Sequence, residues 1–196
     1  MFIYSAAQKN FADVIEEYYK VNPYAHEFSS FLKEIFSDTS LIRDEMYKRT
    51  DSTFFYLHAH YKEFNPFHFT AVRTELILAE TEIAYNDSLH TLDTLIIYQI
   101  IGCTDTSEKQ KTLVKKEFLR FGKKYEHIFR SSTFQEYKKH SSDGQIRNYF
   151  VNFSSISPLS IAWARLPEEY KCVFTITLRI KVRENVAGLP ISPDDF

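Results

Sequence analysis

Two histidines, His58 and His60, are separated by one residue in a segment where polar and apolar side chains alternate. A strand over residues 52–61 places both imidazoles on one face, a spacing that zinc and iron sites use when a third ligand is near. His68 and Glu63 follow in the chain, but the loop-like composition around them enforces no ligand geometry. The pattern favours histidines packed among aromatic residues, and we predict no metal ligand.

Residues that act as nucleophiles or acids in enzymes lack the partners that such chemistry needs. Cys103 follows a glycine at a predicted strand end, with His90 and Asp93 near it only in sequence. No serine lies in a nucleophile-elbow motif. Four carboxylates between residues 75 and 87 form either a glycosidase-like pair or one polar face, and we favour the polar face. They are Glu75, Glu80, Glu82 and Asp87. We predict no catalytic residue.

Composition argues against several classes of site and location. The 196 residues include only 4 glycines, and because glycine lets a backbone approach a phosphate, no dinucleotide, P-loop or other cofactor site is expected. The two cysteines, Cys103 and Cys172, form no C-x-x-C motif, which argues against zinc ribbons and redox pairs. Neither a leader-like segment nor a membrane-length apolar run occurs, so we expect a cytoplasmic or virion protein with no membrane partner and no secretion by a signal peptide.

Charge is distributed unevenly along the chain. Residues 1–108 hold 8 Lys and Arg against 17 Asp and Glu, whereas residues 109–147 hold 11 against 4. The basic segment therefore compensates acidic surface of its own chain or of a neighbouring copy, contacts nucleic-acid phosphates, or is a solvated face. We favour compensation because the net charge of the whole chain is only −2.

Hydrophobic spacing predicts an α+β fold in which short N-terminal helices are followed by an antiparallel sheet. Three short helices are expected in the first fifty residues, the third over about 41–49. Strands are expected over residues 52–61, 67–85 with a bulge near 79–80, 92–101 and 146–155. A long basic amphipathic helix is expected from the capping residue Ser107 to about His140.

The end of the chain shows the clearest alternation and the clearest loss of pattern. Apolar side chains recur at every second position over residues 171–184, which predicts a strand buried on one face with a solvated basic outer end. Residues 185–196 contain Pro190 and Pro193 and have no period, so we expect an extended arm. We predict a single α+β domain over 1–184 followed by this arm.

The functional hypothesis that we favour is a non-enzymatic structural subunit of a larger assembly, such as a ring, connector or tail component of a bacteriophage or a related bacterial injection machine. It rests on the segregated charge, the arm and the 16% of aromatic residues, because aromatic side chains dominate interface cores. The expected partners are copies of the chain and other subunits. The predicted contact residues are Lys115, Lys116, Lys123, Lys124, Arg179, Lys181, Arg183, Leu189, Ile191 and Phe196.

Two alternatives from other classes stay open. One is a ligand-binding or enzymatic α+β domain with a pocket lined by aromatic side chains and by His58 and His60. The other is an accessory protein that binds nucleic acid through the basic helix over residues 109–140.

Overall fold

The computed structural model describes residues 12–24, 28–48, 55–84, 92–129, 131–139, 142–150 and 157–182. The helices are α1 over residues 12–18, α2 over Phe28–Ser37 and α3 over Glu108–Tyr125, with 3-10 turns at Glu126–Ile128 and Pro167–Glu169. The strands are β1 Leu41–Lys48, β2 Phe55–Tyr61, β3 Arg73–Ala84, β4 Leu92–Thr104, β5 Ser131–Lys139, β6 Ser142–Phe150, β7 Leu159–Leu166 and β8 Lys171–Val182. These elements confirm the predicted α+β class.

All eight strands form one antiparallel sheet in the spatial order β1-β2-β3-β4-β8-β7-β6-β5. Each run of four consecutive strands is a meander, and the two meanders meet where β4 pairs with β8. Helix α3 connects the end of β4 to β5 at the far side of the sheet. Among the strands that the structure describes, β1 and β5 lie at the two edges. A helix therefore precedes each meander, α2 before the first and α3 before the second.

The three helices pack on one face of the sheet, which we call the helix face. Period-two alternation along the central strands directs apolar side chains to this face, where Leu76, Tyr98 and Ile176 are fully buried. The helices contribute the other half of this core with Tyr18, Phe31, Val114, Phe118, Phe121 and Tyr125. The opposite face carries no helix among the described residues, and we call it the open face.

Strand β8 has the predicted alternation but is more buried than predicted. Phe174, Ile176 and Leu178 lie on the helix face with no exposed surface. On the open face Val173 is 8% exposed and Thr177 is 4% exposed, so the expected half-buried strand is wrong at these positions. The physical reason is position, because β8 lies between β4 and β7 at the centre of the sheet and both neighbours shield its open-face side chains.

Two predicted helical segments are strands. Residues 41–49 were expected to form a third helix, but β1 pairs with β2 from Leu41↔Tyr61 to Lys48↔Phe55. A register shift between Arg43 and Glu45 moves the apolar positions by one residue and hides the alternation that identifies a strand. The expected helix to His140 is also wrong, because α3 ends at Tyr125 and Ser131–Lys139 form β5. Ser131, Ser132 and Thr133 are weak helix formers, which favours this break.

The other strand predictions hold with different limits. Residues 55–61, 73–84 and 92–104 are strands, whereas 67–72 are not, and the β3–β4 register is continuous through Ala79 and Glu80 with no bulge. Strand β6 begins before the expected residue 146 and its described part ends at Phe150. Strand β7 was not predicted. The arm over 185–196 lies outside the described residues, so the limits of the domain stay a prediction.

Helix α3 begins where its capping residues predict. Ser107 is the N-cap, and its hydroxyl accepts a hydrogen bond from the Gln110 backbone nitrogen at 3.3 Å. In the last turn Lys123 and Lys124 lie near the helix C-terminus, where cations interact favourably with the helix dipole. Among the described residues, no helix is both long enough and apolar enough to span a bilayer.

Two phenylalanine rings pack directly against Gly102 of β4 and leave no room for a side chain at this position. The substitution Gly102→Ala tests this. A Cβ at this position would lie 2.5 Å from Cε2 of Phe67 and 2.9 Å from Cζ of Phe69. We expect Gly102→Ala to lower the free energy of unfolding by about 1–3 kcal/mol, the usual effect of overpacking a core. Urea denaturation followed by circular dichroism measures it.

Gly122→Ala is the matched control for this prediction. Its added Cβ would lie 3.0 Å from the flexible end of the Arg147 side chain and at an ordinary contact distance of 3.6 Å from the Tyr149 hydroxyl. The helix itself favours alanine over glycine by up to about 1 kcal/mol. We expect this control to be neutral or stabilising. Equal losses at both glycines would contradict the packing argument for Gly102.

Candidate interaction surface

Edge strand β1 exposes large apolar side chains. Within the described residues it pairs on one side only, with β2, and its other side presents unpaired backbone groups. Ile42, Met46 and Tyr47 are 42%, 47% and 51% exposed. The register with β2 places Ile42 and Tyr47 on the open face and Met46 on the helix face. The strand also carries Arg43, Asp44 and Glu45 and a register shift, features that limit unspecific pairing at strand edges. Exposed apolar side chains between specific charges make this edge a candidate for contact with a complementary partner.

A network of charged side chains lies beside this edge on the open face. Asp44, the extra residue at the register shift, accepts from His60 Nδ1 at 2.9 Å and from Arg73 Nη2 at 2.5 Å. Arg73 Nε lies 3.3 Å from Glu75 Oε1, and His58 Nε2 lies 3.2 Å from Glu75 Oε2. Strand pairing explains the arrangement, because His60 and Glu75 are directly opposite in β2 and β3. Each acid therefore has a nitrogen partner.

The contacts of this network shift the pKa values of Asp44 and of the neighbouring Cys103. Burial alone would raise the pKa of Asp44, but hydrogen bonds from His60 and Arg73 bring it below its usual value, so the carboxylate stays ionised. Burial, followed by the negative charge of Glu75, raises the pKa of Cys103 to about 12. At neutral pH this cysteine is a thiol and not the thiolate that a nucleophile requires.

The candidate chemical residues from the sequence are placed apart. His58 and His60 share the open face as predicted, whereas His68 lies on the other side of the sheet with Nδ1 at 3.5 Å from Glu117 Oε1. Glu63 is exposed, and no group of three potential metal ligands occurs in the described part of the chain. Glu75 and Glu80 project to opposite faces of β3 and form no carboxylate pair.

The remaining residues considered for nucleophilic or acid–base chemistry form no site among the described residues. His90 and Asp87 lie outside the described residues, and the structure describes the backbone but not the side chains of Asp93 and Glu82. Cys103 faces Glu75 rather than a histidine.

The basic helix is partly neutralised by acids of its own chain. Lys111 Nζ lies 2.8 Å from Asp143, Arg120 Nη2 lies 2.9 Å from Glu17, and Lys124 Nζ lies 2.6 Å from Glu17. These pairs join α3 to β6 and to α1. They show that some of the positive charge serves contacts within the chain.

The four lysines predicted as contact residues on α3 divide into two pairs. Lys115 Nζ lies over the Trp163 ring at 4.3 Å from its centroid, and Lys124 pairs with Glu17. Lys116 and Lys123 are exposed, and neither forms an ion pair with a described residue. Lys116 and Lys123 are therefore the two of these lysines that have no charge partner among the described residues.

Arg179, another predicted contact residue, is occupied within the chain. Its Nη1 donates to the Ser157 carbonyl and to the Ser160 hydroxyl, both at 3.1 Å, and burial lowers its pKa. Lys181 is described only in its backbone. The last four predicted contacts lie outside the described residues; they are Arg183, Leu189, Ile191 and Phe196.

The other edge of the sheet, β5, also exposes an apolar side chain. Phe134 is 47% exposed on the helix face, beside Phe118 at 6.4 Å between ring centroids. A shallow cavity of about 250 Å³ lies between α3 and β6, lined by Phe118, Leu119, Gly122, Lys123, Glu126 and Arg147. Neither His58 nor His60 lines this cavity, so it does not correspond to the predicted histidine-lined pocket.

Sequence reasoning missed the exposed residues of β1 because it assigned them to a helix. The available signal was Met46-Tyr47, which has β propensity, followed closely by the aromatic strand β2. The contact between Asp44 and Arg73 spans 29 positions and has no local signal.

Comparison with known proteins assigns no family: no protein-family model matches the chain, and neither a curated protein nor a solved structure does. A functional proposal therefore depends on the outer side of β1, which has no strand partner among the described residues, and on the charged network beside it.

Proposed function

We propose that this protein is a non-enzymatic structural subunit that assembles with further copies of itself through edge strand β1. The observation that carries the proposal is the exposure of Ile42, Met46 and Tyr47 on a strand whose outer backbone groups are unpaired within the described residues. A partner strand at this edge would satisfy those groups and cover the three side chains. Covering the exposed half of such a side chain contributes about 1 kcal/mol.

The network beside β1 orders the side chains next to the proposed contact. Asp44 and Glu75 form hydrogen bonds and ion pairs with Arg73, His58 and His60. These contacts restrict the charged side chains beside β1 on the open face. Tyr47 stacks on Tyr56 with 4.9 Å between ring centroids, and this holds its ring in a defined position. Ordered side chains lose little conformational entropy on association, which favours affinity.

The finer assignment to a ring, connector or tail of a phage or injection machine stays a prediction, as does the extended arm. The ligand-binding and nucleic-acid hypotheses also stay predictions. The ion pairs that engage Lys111, Arg120 and Lys124 leave less of the basic helix for phosphates.

Sedimentation velocity of the purified chain tests the proposal. We expect the wild type to associate and an Ile42→Lys/Tyr47→Lys double variant to remain a monomer, because two buried charges on an edge strand oppose pairing. Val72→Lys is the matched control, since Val72 is an apolar residue with 80% exposure outside β1. The control should associate as the wild type does, and circular dichroism should show all three chains folded.

Two results would refute self-assembly through β1. One is a wild-type chain that stays monomeric over a wide range of concentration. The other is a folded double variant that associates as strongly as the wild type.

A further inference from the structure

We infer that the partner of β1 is strand β5 of a second copy, so that copies add head to tail and their sheets join into one. This inference rests on the proposed function. It identifies the surface of the neighbouring copy that β1 contacts. It follows from the strand directions, from a register that matches both faces, and from the charges at the two edges.

Strand direction permits this junction without any rearrangement. Neighbouring strands alternate in direction through all eight positions, so β1 and β5 at the two ends run in opposite directions. A second copy placed beside the first in the same orientation therefore brings β1 against β5 as an antiparallel pair, the same relation as within each sheet. The helix faces of the two copies also lie on the same side.

One register matches the exposed side chains of both edges on the helix face. Phe134 of β5 lies on this face, in line with Arg147 and Ile161, and Met46 of β1 lies on it in line with Leu57. With Met46 opposite Phe134, two apolar side chains, each 47% exposed, cover each other across the junction.

The same register pairs opposite charges. With Met46 opposite Phe134, Glu45 lies opposite the preceding strand position, Gln135. Asp44 is the extra residue at the register shift and takes no partner, so the next pair is Arg43 opposite Glu136. Arg43 and Glu136 are both exposed and both on the helix face, where they pair with Ala59 and Gln145 of the adjacent strands. Opposite charges directly across a strand pair stabilise it.

Positions on the open face are also compatible in this register. Glu45 comes opposite Gln135, and Tyr47 comes opposite Thr133. Ile42, which is 42% exposed, comes opposite the backbone position of Tyr137. No like charges meet on either face.

A symmetric β1–β1 junction is less favourable. In the antiparallel register that pairs exposed Ile42 with Tyr47, and with Asp44 again the extra residue, Glu45 of one copy lies opposite Glu45 of the other. Like charges directly across a strand pair are destabilising. The edges therefore favour a heterologous contact, which generates rings or open chains of subunits.

Complementary edge variants test the head-to-tail junction. Met46→Lys blocks β1 only and Phe134→Lys blocks β5 only, and both sites are half exposed, which tolerates lysine in the folded chain. Each variant alone should sediment as a monomer, because every junction needs one intact edge of each kind. An equimolar mixture should form a dimer of about twice the 23.2 kDa of the chain and no larger species.

The outcomes separate this inference from the proposed function. If Phe134→Lys alone associates as the wild type does, or if the mixture stays monomeric, the β1–β5 junction is refuted while self-assembly through β1 stands. A monomeric wild type refutes the proposed function itself.

A charge exchange between Arg43 and Glu136 provides a second test, with circular dichroism to check that each variant is folded. Arg43→Glu and Glu136→Arg should each weaken association several-fold by placing like charges opposite each other, and the double variant should restore it. Equal weakening by the double variant would show that these two residues do not meet and would overturn the register.

Discussion

Replacing Phe174 by alanine is expected to lower the free energy of unfolding by about 3–5 kcal/mol, the range for removing a buried aromatic side chain. Phe174 lies at the centre of the helix face with no exposed surface. Its ring is 5.8 Å from that of Phe67 and 6.4 Å from that of Phe121. The substitution leaves a cavity where β8, α3 and the segment before β3 meet, and these rigid elements collapse little into it.

Urea denaturation measures this loss, and Thr175→Ala is the matched control. Thr175 is the next residue of β8 and lies half-buried on the open face. Its replacement should change the free energy of unfolding by about 1 kcal/mol or less. Similar losses for the two variants would contradict the assignment of the main core to the helix face.

Replacing Glu117 by alanine is expected to cost about 3 kcal/mol, at the low end of the range for breaking a buried ion pair. The Glu117 side chain is 2% exposed and accepts hydrogen bonds from Arg120 Nη2 at 2.9 Å and from the Tyr18 hydroxyl at 3.0 Å. Its loss leaves Arg120 without its buried partner. The cost stays at the low end because Arg120 retains Glu17.

The charges around Glu117 explain why it tolerates burial. Burial alone would lower the pKa of Arg120, but hydrogen bonding and the negative charge of Glu117 raise it, so the guanidinium stays charged. Burial, followed by the charges of Glu117 and Glu17, raises the pKa of Tyr18. Tyr18 therefore remains a hydroxyl that donates to the carboxylate.

Thermal and urea unfolding of three variants tests the Glu117 prediction. Glu117→Gln keeps an acceptor for Tyr18 but removes the charge, and we expect it to lose less stability than Glu117→Ala. Glu169→Ala is the control, since it removes an exposed ion pair with Lys171 and should cost about 1 kcal/mol or less. A Glu117→Ala variant as stable as this control would show that the α1–α3 network contributes little.

Elements whose signals are local could be predicted from the amino-acid sequence. The alternation of residues 171–182, the cap at Ser107 and the apolar stripe of α3 each depend on neighbours within a few positions, and each predicts its element. The α+β class follows from the same signals. The shared face of His58 and His60 was also predictable, because strand period alone sets it.

Features that depend on pairing between distant segments follow only from the folded sheet. The sequence over 41–49 fits a helix or a bulged strand, and only the pairing of β1 with β2 selects the strand. The topology also places β8 between β4 and β7, which buries Val173 and Thr177 on a face that looks solvated in sequence.

The charged contacts and the candidate surface also depend on the assembled sheet. Arg73 meets Asp44 and Arg120 meets Glu17 across 29 and 103 positions of the chain. The exposure of Ile42 and Tyr47 follows from the place of β1 at an edge, a property that exists only once all eight strands are ordered. Local propensity acts over a few residues, whereas edges, burial and ion pairs arise from long-range packing, which is why the sequence did not determine them.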